Sequence, residues 1–283
     1  GKTVVEIPDF ESPEEMLLVR GSAQGPTAEF LRFIDQSPVG DRIDRFTEDM
    51  RASGKGHLDL ELDMPLRRIG DTAVRGDFQF QNNQIAVIPG LPPLTQVNGR
   101  LKVTEKAVQA PEITAQVLGG PMRLSVKNEG ERVHVAMAGT ASAREGRKIF
   151  DTPLFEYVSG NLAWKGEVRV KKKTADFIVE TNLVGVSSSL PEPLNKNAAS
   201  ALPLRIEKGN LAEGGDQIRV SLGKVAEAHI LRRPEGHAMV VDRGAAALGE
   251  ALPKMPGKGL ALAIAQPQID ADAWRRLFAG DNG

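Results

Sequence analysis

Apolar and polar residues alternate with a period of two through most of the chain, the mark of strands with one buried face. In "HLDLELDM", Leu58, Leu60, Leu62 and Met64 fall on one side and Asp59, Glu61 and Asp63 on the other. "GDFQFQ" sets Phe78 and Phe80 against Asp77, Gln79 and Gln81, and "QVNGRLKV" sets Val97, Leu101 and Val103 against Asn98, Arg100 and Lys102. The pattern recurs with Ile113, Ala115 and Val117; Met122, Leu124 and Val126; Val133, Val135 and Met137; and Leu162, Trp164, Val168 and Val170. It continues with Phe177, Val179 and Leu183; Leu204 and Ile206; Ile218, Val220 and Leu222; Met239 and Val241; and Leu260, Leu262 and Ile264. Strands of parallel βα units would read as continuous apolar runs. Short connections with turn chemistry, such as Asn82-Asn83 and Asn128-Glu129-Gly130, predict an antiparallel meander.

Helical spacing interrupts this pattern twice. Phe30, Phe33 and Ile34 predict one helix, broken at Ser37-Pro38, and Ile43, Phe46 and Met50 a second, within residues 26–50. Near the C-terminus, "QIDADAWRRLF" predicts a short helix capped by Asp270 or Asp272, with Trp274 and Phe278 on one face.

Many strands with little helical cover, and aromatic residues at only 5%, suggest a mostly β fold. The pattern fits a long, strongly curved antiparallel sheet whose apolar side closes partly on itself. It fits an ordinary sandwich or barrel equally well. The motif Val-x-Gly followed by alternating apolar residues occurs at Gly76, Gly99 and Gly160. A glycine there lets a sheet bend or leaves room above it. The glycines of any twisted sheet would look the same.

The 283 residues suffice for one large β domain or two ordinary ones, with 41% hydrophobic and 26% charged residues. A formal net charge of −1 argues against a nucleic-acid binder. With no cysteine, disulfides, zinc-thiolate sites and cysteine nucleophiles are excluded. The longest apolar run, Leu260 to Ala265, is far too short for a membrane span. Patterned sequence starts almost at Gly1-Lys2-Thr3, so the chain reads as an excised piece of something longer.

Candidate chemistry is sparse. His57, His134, His229 and His237 lack metal-ligand spacing and read as solvated. Asp59, Glu61 and Asp63 could mimic a hydrolase pair but read as the wet side of a strand. Lys171-Lys172-Lys173 and Arg232-Arg233 could touch lipid headgroups and read more simply as solvated turns. Ser187-Ser188-Ser189 has no nucleophile setting. Nothing reads as an enzyme, a metal site or a cofactor site.

The order of motifs carries more. "GSAQGPTAEFLRFIDQSPV", "GHLDLELDMPL", "VRGDFQFQNNQI", "VNGRLKV", "ITAQVLGGPMRLSV", "VSGNLAW", "TNLVGVSSSLPEPLNKNAASALPL" and "QIDADAW" together resemble the YhdP branch of the AsmA-like family, over nearly the whole chain. The most specific part is Leu190, Pro191, Pro193, Leu194 and Lys196, followed by Leu202-Pro203-Leu204.

The resemblance implies a large Gram-negative envelope protein with an inner-membrane anchor and a long periplasmic β-groove of hydrophobic interior. Such proteins are implicated in moving phospholipids between inner and outer membranes. This chain would be one elongated internal segment, without the anchor. Acyl chains would be its partners, with inner- and outer-membrane proteins at the ends of the full-length protein. Candidate groove residues are Leu58, Leu60, Leu62, Phe78, Phe80, Leu101, Val103, Leu124, Val126, Val135, Leu162, Trp164, Phe177, Val179, Val220 and Leu222. The alternative is that the same residues form a dry core in a structural or assembly scaffold for outer-membrane biogenesis.

Two boundaries complete the reading. A weak internal boundary falls at about 141–158. Over about 187–202, Pro191, Pro193 and Pro203 forbid a central strand, and Leu190, Leu194 and Leu202 can anchor an ordered crossing loop over or beside the groove. A loop packed on a core would show the same prolines.

Overall fold

Alternation becomes hydrogen bonding between strands that follow one another in the chain. The computed structural model describes residues 1–9, 15–36, 47–87, 91–129, 132–150, 152–171, 174–236, 238–266, 270 and 272–275. Strand order follows chain order, apart from one short strand, and does not close on itself. The chain divides into two compact units. The first is Gly1–Val117, Pro121–Met137 and Val170–Lys173; the second is Leu118–Gly120, Ala138–Arg169 and Thr174–Gly283.

The first unit runs through β1 (Lys2–Glu6), β2 (Met16–Pro26), helix α1 (Thr27–Asp35), β3 (Arg51–Pro65), β4 (Ala73–Ala86), β5 (Leu94–Thr104), β6 (Val108–Val117) and most of β7 (Gly120–Glu129). Pairing from β1 to β6 is antiparallel. Asn82-Asn83, expected as a turn, lies inside β4 as a bulge: Asn82 is left-handed at φ 52° and the register to β5 shifts on either side of Asn83. The Asn83 side chain is fully buried. Its amide donates to the Lys55 carbonyl at 2.9 Å and its oxygen accepts from the Thr27 hydroxyl at 3.2 Å. Asn83 therefore fastens the first residue of α1 to β3. Phe30 of α1 faces the sheet, whereas Phe33 is 62% exposed.

β8 (Arg132–Ser142) and β9 (Val158–Lys171) flank helix α2 (Ala143–Ile149), which is not visible in the residue pattern. The second unit continues with β10 (Thr174–Thr181), β11 (Val186–Ser188, paired to β9), β12 (Leu204–Asn210), β13 (Asp216–Leu222), β14 (Ala226–Glu235), β15 (Ala238–Leu248) and β16 (Gly259–Ile264). From β10 through β12 to β15 the pairs are antiparallel. The last pair departs from the meander, because β16 runs parallel to β15 after a crossover through 249–258. Residues 272–275 form a helical turn in which the Asp270 carboxylate accepts from the Ala273 N–H at 2.9 Å, an N-cap. The expected helix positions Ile43, Phe46 and Phe278 lie outside the described residues, as do Lys172, Lys173 and His237.

Full enclosure is confined to small groups. Ala110, Ala115, Ala141, Ala143, Ala245 and Ala247 make up most of the buried hydrophobic residues, joined by Val97, Ile113, Met122, Val186 and Leu190. The chain exposes 17699 Å². Most of the large apolar side chains on the described strands are half-buried rather than enclosed.

Two histidines differ from the solvated expectation. The His134 side chain is 12% exposed. His229 lies mid-strand in β14 with Nε2 3.0 Å from Gln217 Oε1. Burial, then the nearby Arg219 guanidinium, pushes the His229 pKa below 6.5. The unfolded chain therefore binds a proton that the folded chain resists, and stability falls as pH drops through about 6.5. Urea midpoints measured across that range should decline for the wild type and flatten for His229→Gln; an equal decline in both would exclude this group as the cause.

Two of the motif glycines are required by the backbone. Gly99 sits at φ +140°, and a Cβ there would lie 2.9 Å from the Glu112 carbonyl oxygen; Gly160 sits at φ +106°, and its Cβ would lie 2.1 Å from the Gly185 oxygen. At Gly76 a Cβ would make ordinary contacts of 3.8–3.9 Å with Leu58, Leu60 and Val103. Gly160→Ala should cost about 2–4 kcal/mol in denaturant unfolding, and Gly76→Ala less than about 1 kcal/mol. Equal losses at the two positions would contradict this distinction.

Candidate functional site

Opposed residues of a strand pair share a face, so the registers assemble the apolar side chains into cross-strand rows. In the first unit these are Val5–Val19–Leu62–Val74, Gly21–Leu60–Gly76–Val103, Ala23–Leu58–Phe78–Leu101 and Gly25–Gly56–Phe80–Gly99–Ile113. Seven of the expected residues (Leu58, Leu60, Leu62, Phe78, Phe80, Leu101 and Val103) thus lie on one face. Glycines leave space between them. The Phe78 ring lies over Gly56, where a Cβ would stand 2.1 Å from it. Phe78 meets Phe30 of α1 and Phe80 edge-on, with centroids 5.2 and 4.9 Å apart. Helix α1 covers the face at this end.

The opposite face is wet and paired. Arg75 reaches Glu61 at 3.2 Å and Asp63 at 2.7 Å. The row that could have mimicked a hydrolase pair is therefore occupied by a cation. Among the described residues, no group of three or more His, Asp or Glu could hold a metal ion.

In the second unit the rows are Val179–Ile206–Val220–Ala228–Ala246–Leu262, Thr181–Leu204–Leu222–Ala226–Leu248–Ile264 and Phe177–Lys208–Ile218–Ile230–Gly244–Leu260. They place Phe177, Val179, Val220 and Leu222 together. A bulge between Leu231 and Arg232 brings Val241 opposite Arg232, so a fourth row reads Asn210–Asp216–Arg232–Val241. On the outer strand Leu260 is 75% exposed and Leu262 65%. The remaining candidates, Leu124, Val126, Val135, Leu162 and Trp164, lie on β7, β8 and β9. Each of the sixteen candidates is half-buried: none is enclosed and none fully exposed.

Lys208 was not legible as a site residue in the sequence. It occupies an apolar row with its side chain 17% exposed. Its ammonium donates to the Ala175 carbonyl at 3.0 Å and to Asn210 Oδ1 at 2.7 Å. Burial lowers its pKa, Asp216 and Asp176 pull it back up, and Arg232 lowers it again. A depression of about 190 Å³ on the polar side, over Gly209, is lined by Glu167, Arg169, Glu207 and Arg219 and suits no acyl chain.

The leucine-proline segment is ordered and pinned beside β9. Ser188 and Lys196 exchange backbone hydrogen bonds at 2.8 and 3.0 Å, and the Ser189 N–H donates to the Tyr157 carbonyl at 2.9 Å. The Lys196 ammonium donates to the carbonyls of Leu183, Val186 and Asn197 at 2.9, 2.6 and 2.9 Å. Burial lowers its pKa, while three carbonyl dipoles favour the charged form. Leu190 is 8% exposed; Pro191, Pro193, Leu194 and Leu202 are half-buried, and Pro203 is exposed.

Among the described residues, no helix is long and apolar enough to cross a membrane. No solved structure matches the chain. It is 25% identical to the intermembrane phospholipid transporter YhdP of Escherichia coli (strain K12), over an alignment covering 96% of this chain and 22% of that protein. The chain thus spans about a fifth of that relative's length. A family model described as YhdP protein matches residues 2–281, nearly the full length. The chain belongs to the YhdP protein family.

Proposed function

We propose that this chain is a non-catalytic, lipid-contacting segment of a larger envelope protein that carries phospholipids between inner and outer membranes. The observation that carries the proposal is the set of apolar cross-strand rows in which the eleven candidate side chains they contain are all half-buried. A dry core would enclose them.

The energetics support the same reading. Each buried CH₂ is worth roughly 0.8 kcal/mol, so a 16-carbon acyl chain crossing water faces a penalty on the order of 10 kcal/mol. A continuous apolar strand face removes much of that penalty with no catalytic group and no deep pocket. Shallow contact also lets a lipid move on. In this reading the half-buried candidates of each unit line an apolar strand face that acyl chains can follow, and Leu190, Pro191, Pro193, Leu194, Leu202 and Pro203 form a cover beside that of the second unit. The full-length protein lies in the periplasm and is held in the inner membrane by a segment outside this chain.

Mass spectrometry of lipids co-purifying with the chain tests the proposal. Phospholipid should accompany the wild type, and Leu60→Asp and Val220→Asp should each lower its amount by about tenfold, the loss expected from placing a carboxylate against an acyl chain. Glu61→Gln, on the wet face, should leave it unchanged. Lipid-free wild type, or equal lipid in folded Leu60→Asp and Val220→Asp, would leave a structural scaffold as the better account.

A further inference from the structure

The apolar rows of the second unit end in charge. Two residues along the strands from Val220 and Ile206, about 7 Å, the row of Ile218 and Ile230 takes in Lys208, and the next row is Asn210–Asp216–Arg232. Arg232 holds both oxygens of Asp216, through Nε at 2.8 Å and a terminal nitrogen at 2.7 Å. This bidentate pair uses one acceptor site on each carboxylate oxygen. Lys208 Nζ stands 3.9 Å from Asp216, beyond hydrogen-bond reach. The other nearby carboxylate, Asp176, accepts from the Asn210 backbone N–H and side-chain amide, both at 2.8 Å. Lys208 is thus a largely buried ammonium whose hydrogen bonds go to neutral oxygens of Ala175 and Asn210, with no carboxylate directly bonded to it.

A structural lysine would extend its amine into water or sit in a close ion pair; Lys208 has a loose one, with Asp216 at 3.9 Å, whose oxygens Arg232 also holds. Here the cation stands at the boundary between apolar rows and a polar row. An amphiphile lying on those rows would place its own anionic group there. We propose that Lys208, backed by Arg232, receives the phosphate of a glycerophospholipid whose acyl chains lie on Ile206, Ile218, Val220 and Ile230. The inference rests on the acyl-chain reading above and adds a fixed headgroup position to it.

The test uses the purified 283-residue chain, incubated in mild detergent with an equimolar mixture of dioleoyl phosphatidylethanolamine and dioleoylglycerol. The two share acyl chains and differ in the phosphate headgroup. After re-purification, bound lipids are quantified by mass spectrometry. One charge-assisted hydrogen bond predicts about tenfold enrichment of the phospholipid on the wild type. The ratio should fall to near one in Lys208→Met, or in Lys208→Gln should the methionine variant fail to fold. Equal recovery of the two lipids on the wild type overturns the headgroup position and leaves the acyl-chain reading standing. So does enrichment that persists in the Lys208 variants. Recovery of neither lipid overturns both.

Discussion

An alternating strand must bury one face, and the described residues provide little to bury it with. Opposite the rows of Leu58, Phe78 and Leu101, or of Ile206 and Val220, the described residues offer no second sheet. Helix α1 covers only the end of the first unit's rows around Phe30 and Phe78. That deficit governs the rest. Enclosed positions fall mainly to alanines. Gly56 opens the space in which the Phe78 ring lies, edge-on to Phe30 of α1 and to Phe80. A surface of this kind is costly to leave in water and is useful only if something apolar visits it.

Stability must then come from elsewhere. Long antiparallel ladders supply backbone hydrogen bonds, and cross-strand pairs on both faces add a little each. The polar face carries exposed ion pairs such as Lys165 with Glu180 at 3.0 Å, worth little individually. Buried polar groups act as fasteners: Asn83 ties α1 to β3, and Lys196 gathers three carbonyls of the leucine-proline segment. In each, one polar side chain fixes a segment through hydrogen bonds to backbone or hydroxyl groups.

The strands with clean alternation were legible, from "HLDLELDM" in β3 to "GLALAI" in β16, because period two is fixed by the pleat. β2 was not, since Leu17-Leu18-Val19 runs together and Gly21 and Gly25 interrupt the apolar side. β14 escaped notice because its face is built from Ala226 and Ala228 and it carries Pro234. Asn82-Asn83 has turn chemistry, and only the buried partners Thr27 and Lys55 make it a bulge. The parallel pairing of β16 is invisible to alternation, which is the same in either direction. Lys208 falls on the parity of Leu204 and Ile206 and reads as the polar end of that strand; only the register, which sets it between Phe177 and Ile218, shows the apolar row running on through it. The leucine-proline segment is marked in the sequence by its prolines, but its lysine clasp depends on where three carbonyls converge.

The central claim is that acyl chains touch the apolar strand face, and Trp164 on β9 reports on it directly. The chain has two tryptophans, so Trp274→Phe leaves Trp164 as the sole indole. Its fluorescence can be followed while phospholipid brominated on the acyl chain is added, with the same lipid unbrominated as control. Saturable quenching by the brominated lipid alone is the predicted result. Fluorescence that stays the same with both lipids, in a folded protein shown to carry bound phospholipid, would contradict the account.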